Sequence, residues 1–174
     1  MTNCPLCVVS NGVFFEDEIC KAIVPPLSAS LGHLILFPKK HYQIIEQVPD
    51  YEIGHLFNIA NKLSVLIFES LKVQGTNIII HNGVSAGQLI PHFCIHIIPR
   101  SESDNLNFEW TPKKISQQEM LSIASKIKKS ASDIGPFQKE KKKESIKPEK
   151  KVSEKLVSSD KENNYLLKKI KRIP

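Results

Sequence analysis

The segment that most constrains this chain runs from Gly87 to Arg100, with its alternation beginning at His92. Phe93, Ile95 and Ile97 alternate with His92, Cys94 and His96, the period of two expected of a strand. Next neighbours on one strand face stand roughly 6.6 Å apart. Two imidazoles and a thiol therefore line one face, while the aliphatic and aromatic set turns to a core. A solvated face draws Lys, Glu or Thr more often, so these polar residues read as chemistry. Gly87 to Pro91 reads as the loop that feeds the strand.

Ala86-Gly87-Gln88 followed by His92-x-Cys94-x-His96-Ile97-Ile98-Pro99-Arg100 resembles the signature of the histidine-triad (HIT) family. Further matches are Gly32-His33 leading into Leu34 to His41, and Asn77 through Asn82-Gly83. The resemblance covers residues 4 to 132. It implies an α+β fold: a HIT-like antiparallel sheet with a long helix and a C-terminal helix, assembled as a homodimer. It also implies a nucleotide-binding protein, a hydrolase or transferase acting on nucleotide phosphoanhydride or phosphoramidate bonds, with a purine nucleotide or nucleotide conjugate as ligand. A catalytically impaired nucleotide-binding or regulatory module is the alternative, as is a zinc-stabilised domain whose basic tail recruits partners.

The family's nucleophile is the middle His of the triad, and Cys94 stands there. Three readings stay open: a replacement nucleophile, a binding site that has lost its chemistry, or an inert thiol. A thiolate can attack phosphorus, and a nearby imidazolium or a nest of amides lowers a thiol pKa. By resemblance His96 faces phosphate and His92 supports it, which makes Cys94, His96 and His92 the candidate catalytic set. His81, Asn82, Gly87 and Gln88 join His96 as candidate phosphate-binding residues. Gly83, Ala86 and Gly87 let backbone amides approach an oxyanion. Two departures from the family pattern stand out. Pro25 occupies the place of a ribose-binding Asp or Asn, and Leu89 replaces a phosphate-binding Ser or Thr. Arg100 is the nearest cation in sequence and reads as either a phosphate contact or a brace. His33 matches a position whose imidazole is a buried structural group.

Cys4-Pro5-Leu6-Cys7 is a zinc half-site that needs two more ligands. The resemblance supplies His41 and His92 to complete a structural zinc. Four protein ligands leave no open position, so such an ion is not catalytic. Cys20 lies in an apolar run and reads as a small buried hydrophobe.

The net charge of +6 belongs to the tail. Residues 136 to 174 hold 13 Lys/Arg against 6 Asp/Glu, leaving 11 against 12 in residues 1 to 135. A globally basic nucleic-acid-binding surface is not implied, and nucleic-acid contact by the tail is left without support. No apolar run approaches the ~18 residues of a membrane span, and no basic-then-apolar segment follows Met1. A soluble, cytoplasmic protein is expected.

Local patterns predict strands at 13–16, 19–24, 32–37, 77–81 and 92–98, with Pro38 ending the third. A helix is predicted from Asp50, a candidate N-cap, to Gln74-Gly75, burying Ile53, Leu56, Phe57, Ala60, Leu63, Ile67 and Leu71 on one stripe. His55 falls off that stripe. A second helix is predicted over 115–132, with Met120, Leu121, Ile123, Ala124 and Ile127 on its apolar side. Trp110 reads as packing, at the pocket or the dimer interface.

The domain is expected to span 1–135. Residues 136–174 form a basic, Lys/Glu-rich tail, largely disordered by composition, with an apolar stretch at 165–173. Deleting 139–174 should leave the thermal midpoint of the body within about 1 °C, as expected for a segment outside the core. A larger drop in a calorimetric scan would place 165–173 in the fold.

Overall fold

The computed structural model describes residues 4–131 and residue 134. The expected tail lies outside them. The chain divides into two compact units, Met1–Pro112 and Lys113–Pro174.

The first unit is a five-stranded antiparallel sheet in the order β1-β2-β3-β5-β4. The strands are β1 (Val13–Glu16), β2 (Cys20–Ile23), β3 (Leu34–Pro38), β4 (Gly75–Ile79) and β5 (Ile95–Arg100). A short helix, α1 (Pro5–Val8), precedes them, and the long helix α2 (Asp50–Leu71) joins β3 to β4.

Sheet alternation sorts the side chains into two clusters. Leu34, Leu36, Ile95 and Ile97 join Leu56, Ile59, Ala60, Leu63 and Ile67 of α2 in the main core. Ile35 and Phe37 join Cys4, Leu6 and Ile23 on the other face, where Cys94 packs against them. The face opposite α2 is therefore the one that carries Cys94 and His96. Leu56 has no exposed surface, and cutting it to Ala should cost about 2–5 kcal/mol.

Several expected bounds shift. β5 starts at Ile95, because the Phe93 amide donates to the Tyr42 carbonyl (2.7 Å) and the His92 amide turns back to Ile90. These two amides are spent on loops, so the ladder cannot begin at His92. β4 begins at Gly75, paired with Arg100. Pro49 is the cap residue of α2, with Asp50 inside its first turn, and Lys72 closes the helix with φ 53°. The buried stripe of α2 is narrower than expected, since Phe57 and Leu71 are both more than 40% exposed.

His55 is not idle. Its Nε2 lies 2.6 Å from Asp17 Oδ2, while Asp17 Oδ1 accepts from the amides of Ile19 and Cys20. One carboxylate thus closes the β1–β2 turn and ties it to α2. Partial burial opposes ionisation of Asp17, but the Cys20 amide, His55 and the Ile19 amide outweigh it and hold the carboxyl down to about 2. A folded pKa below the unfolded value of about 3.9 means the contribution is present above pH ~4 and is lost as pH falls toward 2. The midpoint gap between wild type and Asp17→Asn should therefore close across that window in acid titrations of thermal stability. A gap constant from pH 6 to 2 would remove Asp17 from this role.

In the second unit, α3 (Gln117–Ser130) opens on a capping box: Ser116 accepts from the Glu119 amide, and the Glu119 carboxylate accepts from the Ser116 amide. The residues on its expected apolar side, Met120, Leu121, Ile123 and Ile127, are exposed. Among the described residues no helix is long and apolar enough to cross a membrane.

Candidate functional site

α1 brings the first site together. Pro5 sits at the start of the helix, where its missing N–H costs nothing. Cys4 and Cys7 lie three residues apart, so both thiols leave one side of a single turn. Cys4 Sγ lies 3.4 Å from His92 Nδ1, and Cys7 Sγ lies 3.3 Å from His41 Nδ1 and 3.5 Å from His92 Nδ1. The four ligand atoms all fall within 4.8 Å of one another, a group able to hold a metal ion. His92 is fully buried, and its Nε2 donates to the Pro38 carbonyl at 2.9 Å. That bond leaves Nδ1 bare toward the thiols, the outer-shell arrangement that orients a ligating imidazole. Burial also pushes the His92 pKa down, which favours the neutral ring.

The second group stands further along the same segment, where it enters β5. Cys94 Sγ lies 3.5 Å from His96 Nε2. His96 Nδ1 lies 3.0 Å from His33 Nε2, and His33 Nδ1 accepts from the Ala29 amide at 3.1 Å. The His81 ring meets His96 at 5.4 Å between centroids. His81 Nδ1 donates to the Ala86 carbonyl at 2.7 Å. Burial pushes the His96 pKa down to about 4, with His33 and His81 adding to the effect. Burial likewise pushes the Cys94 thiol up to about 11, so it carries its proton at neutral pH.

The loop before the strand is built on two positive-φ glycines. Gly83 has φ 91° and ψ 160°, and Gly87 has φ 89° and ψ 16°. The first region is open essentially to glycine alone. A Cβ on Gly87 would stand 3.4 Å from His81 Nδ1, so Gly87→Ala strains the backbone and crowds the ring that faces His96.

The expected residues divide. Cys4, Cys7, His41 and His92 converge, as do Cys94, His96 and His81. His92 has both ring nitrogens engaged in the first group. Asn82 accepts from the Ile45 amide and donates to Glu46. Gln88 accepts from the Gly83 amide and donates to the carbonyls of Gln43 and Ile90. Both amide side chains brace the loop. Arg100 spends its guanidinium on Asp104, Asn77 and the Leu106 carbonyl, the bracing option. Trp110 is 83% exposed and packs no core. The sequence resemblance gives His33 a structural role only; its contact with His96 spans 63 positions in sequence, and no local pattern announces it.

The HIT domain family matches residues 8–103, more than half of the chain. The chain belongs to the HIT domain family. A member of that family from Bacillus subtilis has the same fold, with TM-score 0.69 and 25% identity, covering 74% of this chain and 96% of that one. An adenylylsulfatase from Arabidopsis thaliana is 29% identical over 137 residues, 76% of this chain and 66% of that protein. A bis(5'-adenosyl)-triphosphatase from Dictyostelium discoideum is 26% identical over 138 residues, 79% of this chain and 93% of that protein. This HIT domain thus spans about two thirds of the Arabidopsis protein's length and nearly all of the Dictyostelium one. The family match spans residues 8–103, whereas the Arabidopsis and Dictyostelium matches cover 76% and 79% of this chain, so likeness to them extends beyond that region.

Proposed function

We propose that this HIT domain binds a purine nucleotide or nucleotide conjugate and hydrolyses, or transfers a group from, its phosphoanhydride or phosphoramidate bond. One observation carries the reading: Cys94, His96 and His81 converge beside the Gly83–Gly87 loop. Similar proteins named as an adenylylsulfatase and a diadenosine triphosphatase support it. Phosphate lies over the Cys94–His96 pair, with His81 beside it and the Gly87 turn shaping the approach. Cys94 holds the nucleophile's place. His92 contributes by anchoring the strand two residues upstream.

The partly buried, protonated state of Cys94 favours a second reading, a module that holds nucleotide without turnover. A screen of adenosine phosphoramidate and diadenosine polyphosphates against wild type, Cys94→Ala and Cys94→His separates the two. Turnover by wild type and its loss in Cys94→Ala support the enzyme. Calorimetric AMP binding by all three, with no turnover by wild type, supports the module. No AMP binding and no turnover would refute both.

Zinc is the metal this reading places at Cys4, Cys7, His41 and His92. With bonds of roughly 2.3 Å to sulfur and 2.0 Å to nitrogen, a tetrahedral S2N2 zinc has S···N edges of about 3.5 Å. The observed separations of 3.3 to 3.5 Å match. The ion would clamp α1, the segment after β3 and the segment just before β5, and it would supply folding free energy, not catalysis.

A homodimer belongs to the same reading. The sheet edge at β4 carries Ile78, and α2 beside it exposes Val65, Leu66 and Phe68. Ser64 on α2 and Thr76 on β4 share a 2.6 Å hydrogen bond that holds the two elements together. Sedimentation equilibrium should give twice the chain mass of 19.6 kDa, and a monomer at micromolar concentration would count against it.

A further inference from the structure

We propose that the site reads its phosphoryl ligand with two imidazoles held in opposite tautomers: His96 as a donor at Nε2, set through His33 by the Ala29 amide, and His81 as an acceptor at Nε2, set by the Ala86 carbonyl. The nucleotide reading enters only through the identity of the ligand.

The assignment follows from two backbone groups whose roles are fixed. An amide N–H can only donate, so Ala29 makes His33 Nδ1 the bare nitrogen. Neutral His33 then carries its proton on Nε2, 3.0 Å from His96 Nδ1. That nitrogen must accept, so neutral His96 carries its proton on Nε2, the atom 3.5 Å from Cys94 Sγ. Burial pushes both pKa values down, so both rings are neutral at pH 7. A carbonyl can only accept, so Ala86 fixes the proton of His81 on Nδ1. With that proton on Nδ1, the one-proton form of the His81 ring carries its lone pair on Nε2. Its ring stands 5.4 Å from His96 at an interplanar angle of 70°.

Two consequences separate this site from one lined by interchangeable histidines. The His96 Nε2–H is an oriented donor for a phosphoryl oxygen, and it cannot receive a proton while His33 fills Nδ1. The proton acceptor of the site is His81. A ligand that presents a bare oxygen beside an O–H or N–H satisfies both rings, whereas a bare oxygen facing each ring meets a lone pair at His81. His33 touches no ligand and acts as a positioning residue.

Long-range proton–nitrogen correlation on histidine-labelled full-length protein reads each tautomer directly. At pH 8.5 free imidazole is neutral, and His33 and His96 should show the proton on Nε2, His81 on Nδ1. A proton on Nδ1 of His96, or on Nε2 of His81, would overturn the proposal. In His33→Ala, His96 should become a mixture of both tautomers, and AMP affinity should fall about five- to tenfold, the worth of one oriented hydrogen bond. His33→Gln, whose side-chain amide can donate from the same place, should restore the His96 tautomer and most of the affinity. A His96 tautomer unchanged in His33→Ala, even with a lower melting midpoint, would reduce His33 to packing and refute the relay. The tautomer readout needs no ligand. A wild type with this pattern that ignores AMP counts against the nucleotide reading and for the tautomer assignment.

Discussion

Protein purified without chelator should carry about one zinc per chain, and Cys4→Ser, Cys7→Ser should lose both the ion and a large share of stability. A four-ligand ion absent from the unfolded chain adds its binding free energy to folding. Its loss belongs among the few substitutions that exceed about 4 kcal/mol. For a body of roughly 110 residues that is a fall on the order of 15 °C in melting midpoint. The sign with pH also follows. Thiols must lose their protons to ligate, and burial and the neighbouring Cys4 raise the Cys7 pKa. Metal uptake should therefore release protons, and the midpoint gap between wild type and the double variant should widen as pH rises from 6 to 8. Unchanged stability in the double variant, or wild type without metal, would remove zinc from this account.

Cys94 gives the second large effect. A thiol held up to about 11 is ionised in roughly one molecule in ten thousand at pH 7, and the thiolate is the attacking form. Hydrolysis through Cys94 should climb about tenfold per pH unit between 7 and 10, since a raised pKa leaves ionisation incomplete over that whole range. Cys94→His should lift the rate at pH 7 by about 10²-fold or more, because an imidazole needs no such ionisation to attack. Iodoacetamide should modify Cys94 slowly at pH 7, and bound AMP should slow it further. A rate flat with pH, or equal in wild type and Cys94→Ala, would take the thiol out of the chemistry.

Much of this was legible in the sequence because it is periodic. The alternation from Phe93 to Ile97 sets which residues face α2. The spacing of Leu56, Ala60, Leu63 and Ile67 sets the helix stripe. The two-residue gap between Cys4 and Cys7 announces a ligand pair, and likeness to the family supplied His41 and His92. The parts not legible are contacts between distant residues. Nothing local says that the Tyr42 carbonyl draws the Phe93 amide out of the ladder, that His55 reaches Asp17, or that His33 holds His96. The family resemblance placed Asn82 and Gln88 at phosphate by position alone. The donors and acceptor of a carboxamide suit loop carbonyls and amides, and the fold gives these side chains such partners within reach. Phe57 and Leu71 fit the stripe by spacing, but each sits at its margin, where the sheet below no longer covers them.

Phe93 alone stands between His92 and Cys94, with its ring buried and its amide bound to Tyr42. That short span joins the two groups directly. An ion held by His92 would fix the height and twist at which Cys94 and His96 are offered, so a chelator should behave as a remote antagonist of ligand capture. Thermodynamic reciprocity then runs the other way: whatever factor the ion adds to nucleotide affinity, nucleotide must add to the grip on the ion.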